Sequence, residues 1–460
     1  MCSFHIVVDL GSSSGRVLVM DAAGGSTDEV HRFAHTAQEK NAQLVWDIDT
    51  LITEVVRGLG KANEFIGHQP ATVGIDTWGV DYALLDEAGD RIGEVVCYRD
   101  ERTTRTSAQA DQALEQKKHF SLTGIQPDPI TTARQLFAQG VEDGFDGATA
   151  LLLLPDYVAY ELTGEKGWSQ AIVSTSALAA PGAGDWAWEV FDALNIPRHL
   201  VGEISPERSV VGPITYEGLN NLTVVRSGSH DTACAVHGLR LESTEAFISC
   251  GSWSLFGCVN STPVLSDEAF SRGVTNEVCT DGKVRLLHNL TGLWIMQQCC
   301  RNFADSQRES DIATLAAKAA TLDSPGVLID TTDPIFTTPS DYASLIASKL
   351  EEHGYPTPDS PEAIVRVVTE SLATTHAHAL KNLEEVTGRT FTRLRMIGGG
   401  VRNTLLCQLT ADYCQIPVVA GPQEGTAFGS ALAQIETISD TPQNSTALEY
   451  STVTYLPNTT

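Results

Sequence analysis

Short apolar runs alternate with segments of helical period along most of the chain. Val7–Asp9 and Val17–Met20 read as two β-runs joined by a Gly/Ser turn, and Thr72–Ile75, Tyr82–Leu85 and Leu222–Arg226 read as further strands. A turn signal at Glu87–Asp90 follows the second of these. The last third has the clearest helical pattern. Ser360 and Pro361 have the chemistry of an N-cap and a first helical residue, and Gly388 supplies a stop. Between them Ile364, Val367, Val368, Leu372, Leu380, Leu383 and Val386 recur at helical spacing. A strand at Leu394–Ile397, the triplet Gly398–Gly400 and a helix from about Arg402 to Cys414 follow. Gly425, Ala427, Gly429, Ala431 and Ala433 then line a segment able to pack very closely against a neighbour. Alternation of this kind predicts an α/β fold built in layers. After about residue 436 the chain turns polar, and a poorly ordered tail is expected there.

Two hairpins share one design. VVDLGSSSGRVLVMD, residues 7–21, and AFISCGSWSLFGCV, residues 246–259, are each strand, Gly/Ser turn, strand, about 240 residues apart. Small residues in such a turn let backbone N–H groups approach a phosphate. Neither turn contains the lysine of a Walker loop. Either hairpin alone could be an ordinary turn; the pair suggests a duplicated nucleotide-binding architecture, with each of two domains opening on its own phosphate turn.

Composition narrows the class of partner. A chain of 460 residues is too long for one hydrophobic core and predicts two large domains. With 30 Lys plus Arg against 58 Asp plus Glu, the net charge of −28 argues against nucleic acid or an anionic membrane as partner. A phosphorylated small molecule needs only a local pocket and is not excluded. The N-terminus MCSFHIVVDL lacks a basic leader and a long apolar run, and no stretch approaches the ~18 apolar residues of a spanning helix. The ten cysteines show no zinc-type C-x-x-C pairing, and Cys299–Cys300 reads as helix packing. Reduced thiols and a cytoplasmic location are the expectation.

Several residues could carry chemistry. Asp9 ends an apolar run beside the first turn, where a carboxylate either caps the turn or holds Mg²⁺ through water. In the second case the metal would supply the charge that a Walker lysine otherwise provides. Asp231, in SGSHDTACAV just after a strand, either caps a helix or takes the proton from an attacking hydroxyl. Its neighbour His230 has no second histidine at ligand spacing, which favours a structural or substrate hydrogen bond over a metal. GIDTWGVDYALL, residues 74–85, sets Asp76, Trp78, Gly79 and Asp81 between two strands. Aromatic, carboxylate and bare backbone together fit a sugar site, or else a buried tryptophan in a tight turn. Asn289 and Trp294 in HNLTGLW repeat the polar-plus-aromatic theme. Gly398, Gly399 and Gly400 are either a floor for ribose and base at a helix end or simply a tight strand-to-helix connection.

Assembled, these stretches resemble the FGGY carbohydrate kinase family. The carriers are DLGSSSGR at 9–16, GIDTWGVDYALLD at 74–86, YRDERT at 98–103, SHDTACAV at 229–236 and SCGSWSLFG at 249–257. NLTGLW at 289–294 and the run from Ile397 to Gln434 complete them, in family order over nearly the whole chain. The resemblance implies a two-domain actin-like, ribonuclease-H-like ATPase fold with an interdomain cleft. Domains would span 1–242 and 243–435, ahead of a tail at 436–460. It implies transfer of the ATP γ-phosphate to a ketose, and the D-T-W-G-V-D stretch points to the branch acting on the C1 hydroxyl of L-rhamnulose.

By the same resemblance Asp231 would be the general base, and Ser12, Ser13, Ser14, Gly15, Arg16, Ser252, Gln297, Gly398, Gly399 and Gly400 would line ATP. Gly79, His230, Asp231, Thr232 and Asn289 would contact the sugar, with Trp78 and Asp81 beside them, and Asp9 would organise Mg²⁺. A monomer or small homo-oligomer is expected. Ser252 stands where threonine is common in the family, which keeps a hydroxyl, and Gly425 where alanine is common. Thr410 replaces a cysteine of some relatives, so no local disulfide to Cys414 can form.

Overall fold

The structure, a computed structural model, describes residues 3–21, 27–308, 310–336, 340–358, 360–438 and 450–458. The chain divides into two compact units. The first runs to Arg240, two residues before the expected boundary, and also takes Val259–Leu286 and the segment from Thr426. The second takes Leu241–Cys258, Leu287–Gly425 and the segment from Tyr450. Neither unit is therefore a single continuous stretch of sequence.

In the first unit a six-stranded sheet runs in the order Ser209–Pro213, Leu222–Arg226, Ala71–Thr77, Phe4–Leu10, Ser14–Asp21, Thr27–Ala34. Phe4–Leu10 pairs parallel with Ala71–Thr77 and antiparallel with Ser14–Asp21. All seven residues of Ala71–Thr77 are buried, as in a strand covered on both faces, including the polar Thr72, Asp76 and Thr77. The edge strand Thr27–Ala34 instead exposes most of its residues. Helix Ile48–Phe65, whose N-cap Asp47 accepts from the Thr50 N–H at 3.1 Å, buries Leu51, Val55 and Leu59.

The glycine- and alanine-lined segment forms helix Gly425–Ile438, and its close packing is real. A Cβ on Gly429 would lie 1.7 Å from the Cys234 carbonyl oxygen and 2.9 Å from the Gly238 nitrogen, both in helix Asp231–Leu239. Polar stitches fix the same helix to the sheet. Gln434 Nε2 donates to the Ile6 carbonyl at 3.1 Å, Thr72 Oγ1 donates to Gln434 Oε1 at 2.7 Å, and Ser430 and Ser227 hydroxyls meet at 2.8 Å. Because the obstruction at Gly429 is backbone, Gly429→Ala should force the helices apart and destabilise the protein by about 3 kcal/mol. A thermal melt several degrees below wild type would register this, and an unchanged midpoint would contradict so tight a crossing.

In the second unit Glu245–Cys250 lies between Trp253–Asn260 and Arg393–Ile397, followed in order by Val418–Ala420 and Val453–Tyr455. The second hairpin, Glu245–Cys250 with Trp253–Asn260, has the expected turn at Gly251–Ser252. Helix Pro361–Thr387 begins and ends as its chemistry dictates. Ser360 Oγ accepts from the Ala363 N–H at 3.3 Å, and Gly388 closes the helix at φ 65°. Cys299 and Cys300 are buried in helix Trp294–Asp305.

One expectation fails at the C-terminus. Residues 439–449 lie outside the described residues, but Val453–Tyr455 is a strand paired antiparallel with Val418–Ala420. Its Val-Thr-Tyr sequence is strand-forming, and edge pairing satisfies backbone groups that its polar surroundings had suggested would stay in water.

Candidate active site

The first unit gathers three aspartates near one end of its sheet. The strand register places Asp9 opposite Asp76 on one side and opposite Arg16 on the other. Arg16 forms an ion pair with Asp9 across the opening hairpin, whose turn is closed by a hydrogen bond from the Gly11 N–H to the Ser14 carbonyl at 3.0 Å. Asp76 is fully buried, and neither carboxyl oxygen has a hydrogen-bond partner among the described residues. Burial, then the charges of Asp9 and Asp231, push its pKa well above the ordinary carboxylate value, while Arg16 opposes them. Asp76 is the main electrostatic feature that sequence reasoning passed over as a sugar-pocket carboxylate. Its signal was available: Ile6-Val-Val-Asp9 and Val73-Gly-Ile-Asp76 are apolar runs ending identically in aspartate.

Asp231 is the first residue of helix Asp231–Leu239, where the positive helix end favours a carboxylate. Its Oδ1 accepts from both the backbone N–H and the hydroxyl of Thr232, so Thr232 orients this carboxylate. Thr232 is buried, whereas the Asp231 side chain is 35% exposed and open to a ligand. His230 precedes it, its backbone paired with Thr77 in an isolated bridge and its Nε2 3.6 Å from Asp231 Oδ1. Burial lowers the imidazole pKa, with Asp231 opposing and Arg285 reinforcing. Gly79 keeps the space beside this ring free: a Cβ there would sit 3.4 Å from His230 Nε2 and 3.1 Å from Thr175 Oγ1. The next residue, Val80, holds φ at 72°, an unusual conformation for a β-branched residue and one found preferentially at functional sites.

Trp78 and Asp81 are placed differently from the expectation that both line a sugar pocket. Asp81 is completely buried, and one of its oxygens accepts from two indoles, Trp46 Nε1 at 2.7 Å and Trp78 Nε1 at 2.8 Å. Gln135 Nε2 reaches the other oxygen at 3.3 Å. Burial pushes the carboxyl up to about 6, against the pull of these donors. Trp78 is itself buried, packed against Trp46 at 4.7 Å and stacked on His35 at 5.4 Å between ring centroids. These two residues brace the loop that carries Gly79. No short-range pattern linked Trp46, His35 or Gln135 to that loop, because they meet it only through the tertiary fold.

The second unit brings its own residues together around the second hairpin. Ser252 Oγ donates to Gln297 Oε1 at 3.1 Å. The turn is gripped from the helix Trp294–Asp305 side: Leu293 N–H donates to the Gly251 carbonyl at 2.8 Å, and Gly292 N–H to the Ser252 carbonyl at 3.1 Å. The three glycines differ in role. Gly398 takes φ 82°, and a Cβ there would lie 2.9 Å from the Cys250 carbonyl; one on Gly400 would lie 2.3 Å from Cys250 Sγ. Both press against the hairpin strand, whereas Gly399 faces open space and begins the 3-10 turn Gly399–Arg402. Asn403 caps the helix Thr404–Cys414 that follows. Asn289 is exposed on strand Val284–Thr291, and the Trp294 indole donates to the Tyr342 hydroxyl at 3.2 Å.

Two Gly/Ser hairpins, each in the interior of its sheet, and a partly exposed carboxylate at a helix start in the first unit fit a phosphoryl-transfer enzyme of the sugar kinase type. Family models for the N-terminal and C-terminal domains of the FGGY family of carbohydrate kinases match residues 4–238 and 246–436, and the chain belongs to that family. Among curated proteins it is 36% identical over 442 residues to a rhamnulokinase from Enterobacter sp. (strain 638), covering 95% of this chain and 89% of that protein. It is 35% identical over 442 residues to a rhamnulokinase from Klebsiella pneumoniae (strain 342), covering 95% and 90%. Among solved structures, a ligand-bound xylulose kinase from Lactobacillus acidophilus superposes with TM-score 0.81 at 15% identity, covering 99% of this chain and 94% of the other. Glycerol kinase from Plasmodium falciparum with ADP gives TM-score 0.80 at 15% identity, covering 99% and 95%. The fold is the two-domain actin-like α/β fold of these kinases.

Proposed function

We propose that the protein transfers the γ-phosphate of ATP to the C1 hydroxyl of L-rhamnulose, with Asp231 as general base. The single observation carrying this is the Asp231 carboxylate: oriented by Thr232, open to a ligand, and next to His230 and the bare face at Gly79. Similarity to the rhamnulokinases supports the choice of sugar.

Phosphoryl transfer depends mainly on positioning and charge stabilisation. Gly79, His230 and Asn289 would contact the sugar hydroxyls. The Ser12–Arg16 turn, Ser252, Gln297 and Gly399 would offer donors to the nucleotide. Asp231 would align the primary hydroxyl and accept its proton as the oxygen attacks.

The donor set fits Mg²⁺. The charges of Asp9 and Asp231 raise the buried Asp76 carboxyl against the opposing charge of Arg16, which marks a site of negative potential whose ligand atoms are all oxygens. Among the described residues no three His, Cys, Asp or Glu side chains converge closely enough to hold a metal ion alone. Asp9 would therefore hold it through water, with phosphate oxygens as further ligands; when bound, the ion would neutralise phosphate charge. No helix among the described residues is long and apolar enough to cross a membrane, and the described cysteines are all free thiols, which supports a cytoplasmic setting.

The test is a coupled assay of ADP release against a panel of ketoses that includes L-rhamnulose, L-fuculose and D-xylulose. L-rhamnulose should give the highest kcat/KM. A preference for xylulose would overturn the sugar assignment, and ATP hydrolysis indifferent to every sugar would overturn the transferase reading.

A further inference from the structure

We propose that Arg285, held by Glu277, fixes the tautomer of His230 so that its Nε2–H is presented to the substrate; Arg285 is a positioning residue for sugar binding. The proposal rests on the reading of His230 as a sugar ligand given above.

Arg285 is fully buried, and its Nη2 lies 3.1 Å from His230 Nδ1. The same nitrogen donates to Glu277 Oε2 at 2.6 Å, while Nη1 donates to the Val278 carbonyl at 2.8 Å. A guanidinium has donors only. His230 Nδ1 must therefore be the acceptor in this contact, and the one proton of the neutral imidazole sits on Nε2. Burial, the largest single influence, would raise the Glu277 carboxyl, but the Arg285 charge and hydrogen bond together with His230 hold the group below its ordinary value.

The Nε2–H is also left available. At 3.6 Å, Asp231 Oδ1 is beyond a direct hydrogen bond, and Gly79 puts no side chain over the ring edge. The donor therefore faces the same opening as the Asp231 carboxylate. A sugar hydroxyl placed there would accept from His230 while its neighbour gave a proton to Asp231. Had the proton been on Nδ1, Nε2 would be an acceptor beside a carboxylate, and that opening would lack its donor. Sequence reading could not find this arrangement, because Glu277 and Arg285 lie about 50 residues downstream on a segment that returns to the first unit.

The experiment uses ¹⁵N-histidine-labelled full-length protein, with ring-nitrogen shifts reporting the tautomer and steady-state kinetics run in parallel. Wild type should show His230 as the Nε2–H form. Arg285→Met should populate the Nδ1–H form and raise the KM for L-rhamnulose about tenfold, with kcat within about threefold and the KM for ATP unchanged. Arg285→Lys, which keeps a donor, should restore most of the sugar affinity. Because Arg285→Met strands a buried carboxylate, Glu277→Gln/Arg285→Met is the second variant, expected to fold while keeping the tautomer shift and the KM rise. An unchanged tautomer in either methionine variant overturns the proposal. His230→Ala separates the premise: if it leaves the sugar KM unaltered, the reading of His230 as a sugar ligand falls, and this proposal falls with it.

Discussion

Asp231→Asn is expected to lower kcat at least ~10²-fold while leaving the apparent affinity for ATP nearly unchanged. The substitution is nearly isosteric, and an amide oxygen can still accept from the Thr232 N–H and hydroxyl that orient Asp231 Oδ1. What disappears is the ability to take a proton at the reacting hydroxyl, which general-base catalysis values at ~10²–10⁴-fold. A loss of 10²-fold corresponds to about 2.7 kcal/mol of transition-state stabilisation. Steady-state kinetics with L-rhamnulose, alongside a thermal melt to verify folding, measures it. Turnover near the native rate would remove Asp231 from the chemistry.

The second large effect concerns the magnesium requirement. Asp9→Asn should reduce turnover about 10²-fold at a fixed Mg²⁺ concentration and raise the half-saturating Mg²⁺ about tenfold, because a neutral amide orders a hydrated dication poorly. The substitution also weakens the Arg16 ion pair and removes one of the two charges that raise the Asp76 pKa. Asp76 should then ionise more readily, partly replacing the lost negative charge, so high Mg²⁺ should recover some activity. A magnesium titration superimposable on wild type would show that Asp9 has no part in holding the metal.

Much of the fold was readable because its signals are local. The Ser360–Pro361 start and Gly388 stop are backbone chemistry confined to a few residues, and the helix obeys them. The Tyr82–Leu85 and Leu222–Arg226 strands likewise match their apolar runs. The Val453–Tyr455 strand escaped because its partner, Val418–Ala420, is some 35 residues upstream and a polar context outweighed a three-residue run.

The site divides along the same line. Thr232 turns onto Asp231 within a motif visible as a string, whereas Ser252 and Gln297 meet across 45 residues. Residue type alone could not show that Asp81 accepts from two indoles, because a carboxylate facing a ligand and one held by neighbours look alike in sequence. Asp76, Trp46 and Arg285 owe their importance to strand register and tertiary contact, which no short window of sequence contains.

The crossing of helices Asp231–Leu239 and Gly425–Ile438 has a consequence for biosynthesis. A nascent chain that has emerged only as far as Arg240 already holds its aspartates, yet lacks the helix that covers Cys234 and Gly238. The segment bearing Asp231 can settle only after Thr426 and the residues beyond it leave the ribosome. A stalled or truncated chain would thus be both inactive and left with an uncovered apolar surface, a natural substrate for chaperones and proteases.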